Sequence, residues 1–468
     1  MQSRGAYVQL GWLPLTLVLS ACGPSEHSTL AEKLAELRAS CVVLVLDAAP
    51  ASHLSSYGYA RVTTPSIDGL AAEGILFERA YSQTASTLTS VPSYLSGLYP
   101  QTLALSGSHR SGGGARMLPE RFAAGGFQTA GFSENPIMTG AIAAESRFEH
   151  FVTISPVSRD AEGRARESYA LIDAATDWIH AHARERFFVY VHLFRPHSPY
   201  LPPTPLAVRF RPPSYTGSVG VDTGSLTAID GGKRRIDEED LGYIVSQYDA
   251  NLFFADQLFG QVLSALAAAG TLDRTLVVVT ADHGEGFGEH RRFLHNSTLY
   301  NEMIHVPLIL RLPPGLHVEP ARISTPVGLV DLVPTLVDLF SLPGSPDVPF
   351  DGRSLRLLLE RVAPSWEERV IFSQTFTRVA VIDRAFKLIT DPAHPDVPEE
   401  LYRIDEDPAE RRNLLATHSV PPRVTELREE LVRFLTGGVT DQSVEAAAGR
   451  LSQSVQEQLR ALGYIDTP

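Results

Sequence analysis

Three short apolar runs constrain the fold of this chain more than any other feature. They read CVVLVLD at 41–47, RFFVYVHLF at 186–194 and TLVVVTAD at 275–282. Runs of this length and valine content are typical of strands that are buried on both faces. Between them, 167–183 and 246–270 have the apolar periodicity of helices, and Gly270 is expected to end the second. Alternating strands and helices predict an α/β domain with a mostly parallel sheet between helices.

A smaller second domain is expected after this one. The chain has 468 residues and a hydrophobic share of 44%, enough for one large core and one small one. Pro and Gly cluster at 341–355, and RVIFSQTF, VAVIDRAFKLIT and ELYRID then have the pattern of short antiparallel strands. A helix at 421–436 and a polar helix ending in EQLRALGY follow. We predict a large domain at 40–345 and a small domain with C-terminal helices at 346–468.

The charge balance limits the possible partners. The chain has 40 basic and 54 acidic side chains, a formal net charge of -14 that is spread along its length. Because nucleic-acid phosphates attract the opposite sign, this balance argues against a nucleic-acid partner. A small anionic substrate would need local cations, such as a metal ion.

The first residues are typical of a processing segment. Arg4 supplies a positive charge, LGWLPLTLVL is an apolar run too short for the about 20 residues that span a bilayer, and LSAC ends in Cys22. The pattern resembles a bacterial lipobox, with a signal peptide at 1–22 and lipidation of Cys22. A plain secretory signal that contains this cysteine is the alternative.

The lipobox has consequences for the region that follows. Residues 23–39 are expected to be a tether, and Gly23 after the cysteine favours the periplasmic face of the outer membrane. With Cys22 acylated, Cys41 has no intramolecular partner, and its apolar neighbours predict a small buried residue.

Chemistry is expected where the apolar strands end. Asp47 follows the first run, and open α/β sheets bind ligands at the carboxyl ends of their strands, although an aspartate there also commonly caps a helix. In TADHGEGFGEH, Asp282 and His283 leave a buried strand side by side into a glycine-rich loop. Carboxylates with one imidazole suit a hard or borderline divalent ion. A turn with a surface Asp and His is the simpler alternative.

Several motifs in sequence order resemble the sulfatase family, within the alkaline-phosphatase superfamily. They are VLVLDAAPASHLSSYGY, TTPSIDGLAAEGILFERAY, FVYVHLFRPHSPYLPP, YDANLFFADQLFG, ADHGEGFGEH, LYNEMIHVPLIL, DGRSLRLLL and ELYRIDEDPAERRNL. The resemblance covers roughly residues 40–415. It implies an alkaline-phosphatase-like large α/β domain, a small C-terminal domain with an antiparallel sheet, and metal-assisted cleavage of sulfate or related esters.

The resemblance also indicates a nucleophile. The family carries Cys or Ser, any residue, then Pro-Ser-Arg, and its first residue is oxidised to formylglycine. When SQTASTLTSVPSYLSGLYP is aligned by its ends without a gap, Thr87 takes that position and Val91 replaces the arginine. Threonine is not converted to formylglycine, which argues against that cofactor. A shifted alignment makes Ser90 the modifiable residue, but it requires a deletion and puts Tyr94 at the arginine.

Histidines of three motifs match further positions of the family. His192 and His197, in YVHLFRPHSPY, match residues that bind the transferred group or assist the leaving group, with a packed core histidine as the alternative for His192. His295, in RRFLHNSTLY, matches a contact of the transferred group and a general acid. Arg291 and Arg292 are nearby sources of positive charge. A Gly- and Ser-rich segment at 215–235 is expected to be a long mobile insertion near the substrate entrance.

The chain departs from the family at three more positions. Asn135 lies where a lysine and histidine pair is common, Pro50 where an arginine is common, and Ala48 where a second metal-ligating aspartate is common. Fewer ligands favour one divalent ion, Ca, Mg, Mn or Zn. Its expected ligands are Asp47, Thr87, Asp282 and His283.

We therefore expect a metal-dependent hydrolase that cleaves a sulfate ester, or a related phosphate or phosphonate ester, through Thr87. A nucleophilic threonine is also similar to phosphodiesterases and phosphoethanolamine transferases of the superfamily. If Thr87 only caps a helix, the chain is a metal-binding protein without turnover.

Overall fold

The computed structural model describes residues 29–105, 115–140, 142–343, 349–361, 369–416 and 421–436. The strands of these residues are β1 (Ser40–Asp47), β2 (Ile75–Phe77), β3 (Ala80–Tyr81), β4 (Gln128–Ser133), β5 (His150–Thr153), β6 (Phe187–Pro196), β7 (Thr275–Ala281), β8 (Gly286–Phe287), β9 (Phe293–Leu294), β10 (His305–Val306), β11 (Leu308–Arg311), β12 (Ala321–Ile323), β13 (Val327–Gly328), β14 (Ile371–Gln374), β15 (Val379–Ile382), β16 (Phe386–Thr390) and β17 (Glu400–Arg403). The α-helices are α1 (Leu30–Glu36), α2 (Pro65–Glu73), α3 (Thr87–Ser96), α4 (Pro100–Leu105), α5 (Leu118–Ala124), α6 (Ile137–Gly140), α7 (Ala161–Ala181), α8 (Thr204–Phe210), α9 (Thr223–Asp230), α10 (Glu238–Ala268), α11 (Asn301–Ile304), α12 (Leu332–Phe340), α13 (Arg356–Leu359) and α14 (Arg423–Thr436).

The large sheet has eight strands in the order β12-β2-β11-β7-β1-β6-β4-β5. Strands β7, β1, β6, β4 and β5 are parallel neighbours, and β11 runs opposite to β7 and β2. The predicted mostly parallel sheet is therefore confirmed. All residues of β1, β6 and β7 are buried, which explains why these strands have continuous apolar sequences rather than alternating ones.

The two long predicted helices are also present. The first begins six residues before the predicted 167–183, at Ala161, and the second begins eight residues before 246–270, at Glu238. Gly270 has φ +65°, a conformation that glycine adopts without strain, so it ends α10 as expected. Cys41 is a free thiol and fully buried, as predicted.

Two segments predicted to be irregular contain helix. Part of the predicted tether at 23–39 is α1, because Thr29 and Glu32 form a capping box and Leu30 and Leu34 are buried. The predicted insertion at 215–235 contains α9, which Asp222 caps by accepting a hydrogen bond from the Ser225 backbone N–H. Both helices are short. They are defined by local capping interactions, which apolar periodicity does not reveal.

The C-terminal strands β14, β15, β16 and β17 form an antiparallel sheet in sequence order, as predicted. One face of this sheet packs against α14, and the other shares a core with Tyr81, Leu299 and Met303 of the large domain. The boundary at 345/346 stays a prediction. Cys22, the residues before 29 and the predicted helix ending in EQLRALGY lie outside the described residues. None of the described helices combines the length and apolarity that a membrane span requires.

Candidate active site

The carboxyl ends of three neighbouring strands bring together buried ionisable side chains. Asp47 is the last residue of β1, Asp282 directly follows β7, and His192 lies near the end of β6. None of the three has measurable exposed surface. One ligand atom of each lies within 4.8 Å of the others. The parallel order β6-β1-β7 thus produces the cluster that the strand ends predict.

The backbone around Asp282 fixes the direction of its carboxylate. Its Oδ1 accepts hydrogen bonds from the N–H groups of Ala48, at 3.2 Å, and His283, at 2.8 Å. Its Oδ2 points toward the imidazole Nε2 atoms of His283, at 3.8 Å, and His192, at 3.9 Å. Burial raises the pKa of Asp282, but the nearby His283 and His192 outweigh this effect and hold it below its usual value.

Local packing fixes the tautomer of His283. Its Nδ1 lies 2.8 Å from the carbonyl oxygen of Gly284 and therefore donates to it, which leaves Nε2 with a lone pair in the neutral ring. A Cβ on Gly284 would lie 2.0 Å from the backbone oxygen of Glu302. The glycine after Asp282-His283 is thus required because the chain packs closely on the segment before β10.

Thr87 points its hydroxyl into this cluster. Its Oγ1 lies 3.1 Å from His283 Nε2 and 3.5 Å from Asp47 Oδ1. Thr87 is the first residue of α3, and Ser86 occupies the N-cap position. The capping alternative for Thr87 is therefore wrong, because the hydroxyl faces the carboxylates at the positive end of the helix dipole.

Ser90 occupies a different environment from Thr87. Its hydroxyl donates to the backbone oxygen of Asp282 at 2.6 Å and contacts the hydroxyl of Ser82 at 3.0 Å. It therefore braces the turn after β7 and does not point at the carboxylates. Val91, which replaces the motif arginine, is fully buried in the apolar core.

Asn135, which the sequence analysis identified only as the replacement of a lysine and histidine pair, contacts the site directly. Its Nδ2 donates to Asp47 Oδ2 at 2.6 Å, and its Oδ1 accepts from the backbone N–H of Ile137 at 2.9 Å. The second bond fixes the orientation of the amide. Its position just after β4 and its match to a family position were signals in the sequence, but neither predicted the hydrogen bond to Asp47.

His192 lies on the Asp282 side of the cluster. Its Nδ1 is 3.1 Å from the hydroxyl of Tyr190, which is 2.7 Å from that of Tyr94. Burial lowers the pKa of His192 to about 4, so the ring is neutral at neutral pH.

His197 and His295 form a second pair beside the first cluster. Their ring centroids are 4.8 Å apart, and that of His295 is 4.4 Å from His283. Burial lowers the pKa of both. The structure brings both predicted histidines to the site.

Glu285 orients His295 and is a residue that the sequence reasoning missed. Its Oε1 lies 3.0 Å from His295 Nδ1, and burial raises the pKa of the carboxyl to about 8. His295 retains 8% exposure whereas Thr87 retains none, so solvent reaches the site from the side of β9. Arg291 and Arg292 are exposed on that side.

The donor set fits a divalent cation. Asp282 Oδ2 and His192 Nε2 are buried and have no hydrogen-bond partner among the described residues. Such atoms are rare in folded proteins, and two carboxylates buried together normally require a counter-charge. Carboxylates and neutral imidazoles are ligands of Mn, Zn and related ions. A cation bound at Asp47 and Asp282 supplies the counter-charge and gives Asp282 Oδ2 a partner.

Two family models match the chain. The model described as Sulfatase matches residues 40–342, which is more than half of the chain. The model described as N-sulphoglucosamine sulphohydrolase, C-terminal, matches residues 288–436.

Similar proteins include several named arylsulfatase. Arylsulfatase K of Danio rerio is 28% identical over 303 residues, 58% of this chain and 56% of that protein. Arylsulfatase K of Xenopus laevis is 25% identical over 439 residues, 79% of this chain and 77% of that protein. The arylsulfatase of Clostridium perfringens is 23% identical over 480 residues, 86% and 96% of the two chains. The chain thus spans about half the length of the first of these relatives and most of the other two.

Solved structures share the fold. The phosphonate monoester hydrolase of Agrobacterium radiobacter has a TM-score of 0.69 at 21% identity, covering 87% of this chain and 97% of that one. BT4656, solved with its substrate D-glucosamine-2-N,6-O-disulfate, has a TM-score of 0.69 at 19% identity, covering 85% and 98%. These likenesses confirm the predicted alkaline-phosphatase-like architecture.

Proposed function

The chain belongs to the sulfatase family, and we propose that it is a metal-dependent hydrolase that cleaves sulfate esters, or related phosphonate and phosphate esters, through Thr87. One observation carries this proposal: the Thr87 hydroxyl lies 3.1 Å from His283 Nε2 and 3.5 Å from Asp47 Oδ1, at the N-terminus of α3. A hydroxyl with these neighbours is placed to lose its proton and attack.

The first step forms a covalent ester on Thr87. A divalent ion held by Asp47, Asp282 and His283 would supply Lewis-acid chemistry that lowers the pKa of the hydroxyl. Thr87 Oγ1 gives its proton to Asp47 Oδ1, toward which it donates at 3.5 Å, and attacks sulfur or phosphorus. The bond to the leaving oxygen then breaks with its electron pair. The α3 dipole stabilises negative charge at Oγ1. His295, beside His197, relays a proton to the leaving oxygen from the Glu285 carboxyl, whose raised pKa of about 8 keeps it protonated at neutral pH.

The second step restores the enzyme. Water attacks the sulfur or phosphorus of the Thr87 ester, the bond to Oγ1 breaks, Oγ1 takes back its proton from Asp47, and the inorganic anion leaves. The histidine that gave its proton to the leaving group now accepts one from the water, as microscopic reversibility requires. This mechanism uses no formylglycine, which is consistent with the threonine at position 87.

Activated esters test this proposal. Purified protein that begins at residue 23 should hydrolyse at least one of p-nitrophenyl sulfate, p-nitrophenyl phosphate, bis-p-nitrophenyl phosphate and p-nitrophenyl phenylphosphonate, with Mn, Mg, Ca or Zn added. Arylsulfatases among the relatives and a phosphonate monoester hydrolase among the solved structures motivate this choice. The Thr87→Ala variant should lose turnover by at least about 1000-fold, as expected when a nucleophile is removed.

A matched control lies two residues after Thr87 in the same helix. Thr89 also lies in the first turn of α3, but its hydroxyl bonds Thr84 at 3.0 Å, so Thr89→Ala should stay active. Activity that persists in Thr87→Ala and disappears in Ser90→Ala would move the nucleophile to Ser90. Metal binding without turnover of any ester would favour the metal-binding protein instead.

We also propose that lipidated Cys22 anchors the protein in the bacterial cell envelope, which the LSAC motif supports. In cells fed labelled palmitate, the full chain should carry label and sediment with membranes, whereas Cys22→Ala should carry none. Label on the Cys22→Ala variant would overturn the proposal.

A further inference from the structure

His192 differs from a packed core histidine in one respect. Its ring is fully buried and its Nδ1 faces the Tyr190 hydroxyl, but its Nε2 has no hydrogen-bond partner among the described residues. A buried ring nitrogen without a partner is costly, so a purely structural histidine would be expected to use both nitrogens. The polar atom that Nε2 faces is Asp282 Oδ2, which also has no partner.

The separation of these two atoms indicates an ion between them. Nε2 and Oδ2 are 3.9 Å apart, which is too long for a hydrogen bond. Two ligand atoms that each lie about 2.1 Å from one ion can be up to about 4.2 Å apart. Asp47 lies beside both, with one carboxylate oxygen within 4.8 Å of the other two ligand atoms.

The hydrogen bond at Nδ1 of His192 favours the tautomer in which Nδ1 carries the proton and Nε2 can bind the ion. Metal-bound imidazoles usually donate their second N–H to an oxygen that fixes the ring. Tyr190 provides that oxygen at 3.1 Å, and its own hydroxyl can donate onward to Tyr94 at 2.7 Å. Gly284 provides the matching acceptor for His283. Both imidazoles thus present Nε2 to the same carboxylates.

We propose that His192 is a ligand of the metal ion and not a group that binds or protonates the substrate. This inference rests on the proposed metal-dependent function, and it adds a second imidazole to the predicted ligands. Two imidazoles with two carboxylates suit a borderline ion such as Zn, Mn or Co, whereas Ca takes oxygen ligands. The site therefore selects a transition ion over Ca.

Metal binding by the chelator-stripped chain from residue 23 tests the inference without any substrate. Titration with Co(II), followed by calorimetry and visible absorption, should show one equivalent bound tightly. In His192→Gln, the ratio of Co(II) to Ca(II) affinity should fall at least about 10-fold, since even outer contacts of a metal site have effects of 10- to 100-fold. His197→Gln is the matched control, and it should keep the wild-type Co(II) spectrum.

A second measurement uses the unaltered sequence, in case His192→Gln does not fold. Proton NMR of the Co(II)-loaded protein should show two strongly shifted, exchangeable imidazole N–H signals, one from each ligand histidine. One such signal, or an unchanged Co(II) to Ca(II) ratio in folded His192→Gln, would overturn the inference. Because both readouts need no turnover, a failure of the proposed ester hydrolysis would leave this result standing, and the reverse also holds.

Discussion

At the scale of single residues, Asn135 determines how Asp47 faces the site. Sulfatases commonly place cations at this position, and here an amide donates to Asp47 Oδ2 at 2.6 Å. The Ile137 backbone N–H orients that amide. Asn135 is therefore a positioning residue. It orients the carboxylate of Asp47 and adds no charge to the site.

Removal of this amide should weaken metal binding. In Asn135→Ala, the affinity of the stripped protein for Mn or Zn should fall about 10- to 100-fold, because the carboxylate loses the donor that orients it. Isothermal calorimetry measures the change. Thr139→Ala is the control, since that hydroxyl donates to the nearby Pro136 carbonyl oxygen. Wild-type metal affinity in Asn135→Ala would show that Asp47 does not need the Asn135 amide to hold its orientation.

At the scale of elements, the segment around β9 carries His295 in a strained backbone. His290, Arg291, Leu294 and Asn296 all have positive φ, between 48° and 76°. Conformations of this kind cost about 1–3 kcal/mol each and persist only where the surroundings hold them. The ring of His290 supplies part of that support, with Nδ1 2.8 Å from Glu302 and Nε2 3.0 Å from the Glu410 carbonyl oxygen.

The C-terminal sheet reinforces the same segment through a buried ion pair. Lys387 of β16 lies 2.7 Å from Glu410 Oε1, and it also donates to Asn301 Oδ1 and to the Leu299 oxygen. Glu410 Oε2 accepts from the Asn301 backbone N–H at 2.6 Å. The small sheet thus fixes the start of α11, directly after the strained segment.

Removing one partner of the Lys387–Glu410 ion pair should lower the stability of the folded chain. Lys387→Met leaves Glu410 buried without its partner and should lower the free energy of unfolding by about 3–5 kcal/mol. The double variant Lys387→Met, Glu410→Gln should recover a large part of that loss because no buried charge remains. Urea unfolding of Lys387→Met, Glu410→Gln and the double variant gives the coupling free energy between Lys387 and Glu410. Strictly additive losses would contradict a direct interaction.

A second connection between elements predicts a pH effect. Asp256 of α10 accepts hydrogen bonds from the N–H groups of Ser66 and Ile67, each at 2.9 Å, at the N-terminus of α2. Burial raises its pKa to about 6 from the model-peptide value of 3.8. Between these values the folded chain binds more protons than the unfolded one, so this contribution to stability is complete below pH 3.8 and is lost as the pH rises through 6.

The variant Asp256→Asn should lack this dependence. From pH 5 to pH 7 the wild-type chain should lose about 1 kcal/mol relative to the variant, as linkage gives for these two pKa values. Urea unfolding at both pH values measures the difference. A difference of the opposite sign would mean that the two amide donors outweigh burial and lower the pKa.

At the scale of the whole molecule, the features that could be predicted from the sequence are those that local sequence patterns determine. Strands β1, β6 and β7 consist mainly of apolar residues, and this composition alone indicates that they are buried. The sheet, and the strand ends at which Asp47 and Asp282 lie, could therefore be predicted. The amide of Asn135 and the direction of His192 depend on contacts between strands far apart in sequence. Such contacts have no local signature, and a resemblance to the family assigned His192 to the transferred group.

The proposed metal site should also make the stability of the whole chain depend on the metal. A ligand that binds only the folded state stabilises it by about 2.7 kcal/mol when its concentration is 100 times its dissociation constant. Adding Mn or Zn to stripped protein should therefore raise the melting temperature in proportion to the logarithm of metal concentration, and a chelator should reverse the shift. Asp282→Asn should abolish this increment because it removes a ligand charge while Oδ1 still accepts from Ala48 and His283. An equal increment in Asp282→Asn would place the stabilising ion elsewhere on the protein, so this comparison separates the strand-end site from adventitious binding.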